Sequence, residues 1–114
     1  MAKASRATRA LPLPAAKAIK QLGRDIATAR ARRRISQRLL AQRMMVGLDT
    51  VQRLERGEAG VSLAVVATAL WALGLVERLG ELASPAADSV GRAEELSRLP
   101  RRVRRSTPKT ELDF

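Results

Sequence analysis

The strongest constraint on the fold lies in two short segments that stand three residues apart. SQRLLAQRM, Ser36 to Met44, and LDTVQRLER, Leu48 to Arg56, are separated only by Met45, Val46 and Gly47. Leu39, Leu40, Arg43 and Met44, and Val51 with Leu54, follow the three- and four-residue steps of one helix face, so the spacing predicts helices over Gln37 to Met44 and Leu48 to Arg56. Ser36 can cap the free backbone N–H groups of the first, and Gly57 can end the second in the left-handed conformation. A link of three residues is too short to let the two lie antiparallel, so they must cross steeply, as in a helix-turn-helix unit. Ala41 is small where they come closest, Val46 tucks under the turn, and Val51 and Leu54 close the core. Asp49, Gln52, Arg53 and Arg56 are left pointing outward together.

The flanking sequence supplies further helices. Ile19, Leu22, Ile26 and Ala29 form one face of a helix that begins near Pro14 as its first residue and ends in the run Arg30 to Arg34, where cations suit the negative end of the helix dipole. Ser62 caps a fourth helix with Leu63, Val66, Ala67, Leu70 and Trp71 facing inward, stopped near Gly74. Trp71 is expected to fill the core, as is the whole apolar stripe from Leu63 to Leu79. A fifth helix, LVERLGELA, runs from Leu75 to Ala83 and halts at Ser84 and Pro85. The expected fold is all-α: a compact five-helix domain over residues 15–84, a mobile basic arm over 1–14, and a basic, partly disordered extension over 85–114 with no second core.

Composition narrows the chemistry. The 114 residues include no cysteine and no histidine, which removes disulfides, the usual zinc sites and imidazole catalysis. No nucleophile sits beside a base, and neither a phosphate-cradling loop nor a metal cluster is evident, so an enzyme is not expected and no cofactor or metal is. Charge is unevenly spread: residues 1–60 hold 14 basic and 4 acidic side chains, a net of +10, and residues 61–114 hold 8 and 7, a net of +1. A positive field on the first half draws in polyanions, with nucleic acid, a membrane surface or an acidic protein as the choices. The scarcity of aromatic residues argues against single-stranded or RNA targets, which use rings for base stacking. The longest apolar region, 63–76, is broken by Thr68 and Gly74, and the first twenty residues lack the continuous apolar core of a secretory signal. The expected location is cytoplasmic, on the nucleoid.

The segment SQRLLAQRMMVGLDTVQRLERGEAGVSLAVVATALWALGL, Ser36 to Leu75, resembles without a gap the Xre-type helix-turn-helix domain of the lambda-repressor class, and the likeness extends over about 60 residues, Leu22 to Leu82. It rests on the Ser-Gln start, the Leu-Ala pair, the valine at the turn, Leu-Glu-x-Gly at the end of the third helix and the leucine-rich fourth helix. The resemblance implies a reader of double-stranded DNA in which Leu48, Asp49, Gln52 and Arg53 face base edges in the major groove. Chemistry agrees for three of them: arginine pairs with guanine, glutamine with adenine, and leucine packs on a thymine methyl, while Asp49 needs a cytosine amino group. It further implies phosphate contact by Gln37 at a helix N-terminus, with Arg38, Thr50, Arg56 and Arg32, Arg33 and Arg34 as further backbone contacts. Arg30 and Glu55 would fill the places of a structural ion pair. Two departures stand out: Met45 occupies a left-handed turn position usually held by glycine, where methionine is strained, and Gly47 stands where a serine or threonine cap is usual.

The later stretch LWALGLVERLGELASPAADSVGRAEELSRLPRRVRR is similar to the extension of HipB-type antitoxins, which are encoded beside a HipA-type serine/threonine kinase toxin. That likeness implies a homodimer, with Val76, Leu79 and Leu82 at its interface, bound to an inverted-repeat operator and repressing its own promoter. Three readings stay open on sequence alone: such an antitoxin, a stand-alone Xre-type regulator without a toxin, and an interaction module that uses the same fold without DNA.

Overall fold

The computed structural model describes residues 10–100. Among the described residues the protein is all-α, with six α-helices, one 3-10 turn and no strand. The chain divides into two units, residues up to Leu79 and residues from Gly80 onward. Most of the expected N-terminal arm, and the arginine run 101–105 of the extension, lie outside the described residues.

The first unit contains α1 (Leu13–Arg32), α2 (Gln37–Met44), α3 (Leu48–Glu55) and α4 (Leu63–Ala72). Helix α1 starts one residue before the expected Pro14, because Pro12 precedes it and Pro14 sits within its first turn, where a missing N–H costs nothing. Helix α2 begins at Ser36, whose Oγ accepts from the Leu39 N–H at 3.0 Å, and α4 begins in the same way at Ser62, whose Oγ accepts from the Val65 N–H at 3.2 Å. Helix α3 has Gly47 in that position and no side-chain cap.

All four helices end with one device. A left-handed residue follows each, at Arg34, Met45, Gly57 and Gly74. The next N–H then reaches back five residues: Ile35 to Arg30, Val46 to Ala41, Glu58 to Arg53 and Leu75 to Leu70. These bonds satisfy carbonyls that a helix end leaves unpaired, and the chain reverses sharply enough for the next helix to fold back. The expected strain at Met45 is therefore accepted in place, with φ 59°, and the short link keeps its geometry. Met45→Gly should relieve that strain and raise stability by about 1 kcal/mol, read as a higher midpoint in urea with an unchanged slope.

Ile26, Leu40 and Val51 are sealed from solvent and give the core its centre, joined by Ala29, Ile35, Ala41, Met44, Leu54, Ala69, Leu70 and Leu73. Helix α3 packs on both α1 and α2, and α2 also packs on α4. Two glycines permit the crossing of α1 over the end of α3. A Cβ on Gly23 would lie 2.7 Å from the Leu54 carbonyl oxygen, and one on Gly57 would lie 2.5 Å from the Lys20 Cα, so each backbone occupies the other's side-chain space.

Helix α4 departs from expectation. Its inward residues are Ala69 and Leu70, supported by Val65 and Val66, while Leu63 is 69% exposed and Trp71 62% exposed. Trp71 is therefore a surface residue and not core filling, and the core stripe does not begin at Leu63. The reason is that α4 carries no charge in ten residues, so its sequence lacks the polar face that would have fixed its rotation.

Helix α5 is shorter than expected, Val76–Gly80, and runs across the division between the units. In the second unit a 3-10 turn, Pro85–Ala87, leads into α6, Ser89–Arg98, capped by Asp88, whose Oδ1 accepts from the Gly91 N–H at 3.0 Å. From sequence the extension is expected to be partly disordered with no second core, and no helix is named here. Its Asp cap is a recognisable start signal, but α6 buries none of its residues, which is why apolar periodicity did not announce it. Among the described residues no helix is long and apolar enough to cross a membrane.

Candidate nucleic-acid interface

Helix α3 buries Val51 and Leu54 and tucks the Glu55 carboxylate inward, while Leu48, Asp49, Thr50, Gln52 and Arg53 keep part or all of their side chains at the surface. Asp49 and Arg56 are exposed, and Leu48, Thr50, Gln52 and Arg53 are half-buried along the same short helix. Asp49 lies in the first turn, where the positive end of the helix dipole favours a carboxylate. Leu48, Asp49, Gln52 and Arg53 thus sit within six residues of one another on an element rigidly held by two neighbours.

What holds α3 is a part-buried polar cluster around Glu55. Arg30 on α1 donates from Nε to Glu55 Oε2 at 2.6 Å and from Nη2 to Oε1 at 3.1 Å, a two-bond fork on a side chain that keeps only 6% of its surface in water. Gln37 donates from Nε2 to Glu55 Oε1 at 2.8 Å, and Arg30 also donates from Nη1 to the Ile35 carbonyl at 2.9 Å. One carboxylate therefore ties together the end of α1, the turn after it, the start of α2 and the end of α3. Gln37 spends one amide hydrogen on Glu55 and has a second on the same nitrogen.

A second carboxylate works at the surface. Glu58 Oε1 accepts from Arg53 Nε at 3.1 Å, while Oε2 accepts from Arg56 Nε at 3.0 Å and Arg56 Nη2 at 2.8 Å. Arg56 first, and Arg53 after it, hold the Glu58 carboxyl below the usual glutamate range. A lowered value means that these pairs favour the folded state above the ordinary glutamate pKa and lose that contribution as pH falls through the lowered one. At an exposed site the contribution is small. Glu58 went unnoticed in the sequence because Arg53 is five residues away, outside the helical three- and four-residue spacing; the reversal at Gly57 brings them together.

The cations are distributed over α1, the turn after it, α2 and α3. Residues 10–60 hold 11 basic and 4 acidic side chains, and two of those four, Glu55 and Glu58, are already engaged by arginine. Arg32, Arg34 and Arg38 stand exposed on α1, the following turn and α2. Arg33 is exposed too, but its Nη1 caps the Ala29 carbonyl at 2.8 Å. Of the residues expected at a dimer interface, Val76 and Leu79 in the first unit are half-buried, and Leu82 in the second is 78% exposed. Comparison with protein-family models, curated proteins and solved structures finds no match.

Proposed function

We propose that the protein is a sequence-specific reader of double-stranded DNA that acts as a transcriptional repressor. The observation that carries this reading is α3: a short helix anchored by two buried residues and a part-buried ion pair, joined to α2 by three residues, with Gln52 and Arg53 on its open side and a basic surround. Its diameter suits a B-DNA major groove, where Arg53 can meet guanine and Gln52 adenine. Gln37, Arg38, Thr50, Arg56 and Arg32 to Arg34 supply phosphate contacts that set register without reading sequence.

Two copies bind an inverted repeat, paired through the apolar residues that follow α4, Val76 and Leu79 among them. Their reading helices then meet successive major grooves about 34 Å apart. The bound dimer blocks transcription from its own promoter, as a HipB-type antitoxin does. Capture of a HipA-type kinase falls to surfaces other than α3. The similarity of the segment from Leu70 onward to the extension of HipB-type antitoxins favours this over a regulator without a partner. A kinase reading frame beside the gene separates the two.

Arg53→Ala should relax discrimination at one base position at a cost of roughly 1–3 kcal/mol, whereas Gln37→Ala should weaken all duplexes about equally. Binding titrations on a panel of single-base variants read both. If both variants keep wild-type affinity and base preference, the reading face lies elsewhere.

A further inference from the structure

We propose that Glu58 is the positioning residue for base reading: it holds the Nε edge of Arg53 so that the two terminal nitrogens of that guanidinium are presented end-on to a base. This rests on the DNA-reading function proposed above. The geometry separates two arginines that look alike in sequence. Arg53 gives Glu58 only its Nε, at 3.1 Å, and keeps Nη1 and Nη2 for the parallel pair of bonds that guanine accepts. Arg56 gives Glu58 both Nε and one hydrogen of Nη2, so the carboxylate holds it by a two-bond fork, and its remaining Nη hydrogens suit phosphate oxygens.

The carboxylate is fixed by backbone and not only by side-chain pairing. Glu58 directly follows the left-handed Gly57, and its own N–H donates to the Arg53 carbonyl at 3.2 Å. The residue that orients Arg53 is thus hydrogen-bonded to the backbone of the residue it orients. Glu58 also carries an electrostatic cost. It places a negative charge beside phosphates, weakening attraction to any duplex while keeping Arg53 from collapsing onto the nearest phosphate. Such an exchange of general affinity for selectivity is what a specific reader in a large excess of wrong sites requires.

The test compares wild type, Glu58→Ala and Glu58→Gln on the duplex upstream of the gene and on a scrambled duplex of equal length, across a salt series. Glu58→Ala should bind the scrambled duplex more tightly, with a salt slope steeper by about one as Arg56 is released to a phosphate. Its preference for the upstream duplex should fall roughly tenfold, the scale of one oriented bidentate contact. Glu58→Gln keeps an acceptor for Arg53 Nε and should recover part of that preference. In the free protein, the Arg53 Nε–H resonance should be protected from exchange in wild type and lose protection in Glu58→Ala. A wild type that discriminates while Glu58→Ala discriminates equally well would overturn the positioning role and leave DNA reading standing. A wild type that fails to distinguish the duplexes would overturn both.

Discussion

Arg30→Ala is expected to lower the free energy of unfolding by about 3 kcal/mol, because it strands the Glu55 carboxylate in a place where water reaches little of it. Removing one member of a buried pair typically costs about 3–5 kcal/mol, and the lower end applies here since Arg30 keeps 18% of its side chain in solvent. Gln37 would still donate to Glu55 but brings no charge. In a unit of this size each kcal/mol moves the melting midpoint by about 4–8 °C, so a fall of at least about 12 °C is expected in a thermal melt. The loss should be smaller when Glu55 is replaced by methionine at the same time, because no unpaired charge then remains. A loss below about 1 kcal/mol would place the pair with ordinary surface ion pairs. It would also remove the reason for regarding α3 as rigidly held.

The second large effect is expected at Gly57, where Gly57→Ala should cost about 3 kcal/mol through two separate mechanisms. The backbone there is left-handed, with φ 74°, which an L side chain tolerates only with strain. The new Cβ would also stand 2.5 Å from the Lys20 Cα and 3.2 Å from the Ile19 carbonyl oxygen, so α1 must move away from the end of α3. Gly74 provides the control, since it has nearly the same conformation, φ 79°, with nothing within 4 Å of its would-be Cβ. Gly74→Ala should therefore cost only the conformational part, about 1 kcal/mol. The difference between the two denaturation midpoints measures the crossing contact alone. Equal losses would show that α1 yields freely, and that the glycine is needed only for its turn.

The comparison of these glycines also indicates what could be read beforehand. Helix α2, its Ser36 cap, the left-handed Gly57 and the stop of α4 near Gly74 follow from local rules, because capping and turn chemistry act within a few residues. Val51 and Leu54 were legible for the same reason, as the rest of α3 apart from Leu48 is polar and its inward face is unambiguous. The rotation of α4 was not, since a helix apolar on every side leaves its orientation to tertiary packing, and Leu63 and Trp71 went to the surface. Gly23 reads in sequence as an ordinary weak point in a long helix; only the approach of α3 gives it a purpose. Glu58 required knowledge of the reversal at Gly57, a relation that linear spacing does not carry. Arg30 and Glu55, 25 residues apart, are brought together by the crossing of α1 and α3, and only the family resemblance named them as partners in sequence.

The exposure of Trp71 has a practical use. It is the only tryptophan, so its fluorescence reports on the surface of α4 without interference.

The most direct test of the central claim is a mobility-shift titration of the purified protein on the duplex upstream of its own gene and on a scrambled duplex, repeated across a salt series. Sequence-specific DNA reading predicts nanomolar binding to the upstream duplex, much weaker binding to the scrambled one, and protection of an inverted repeat. Affinity for both should fall steeply with salt as arginines release counterions. Weak binding that is equal on the two duplexes would contradict the claim and reduce the protein to a basic helical module.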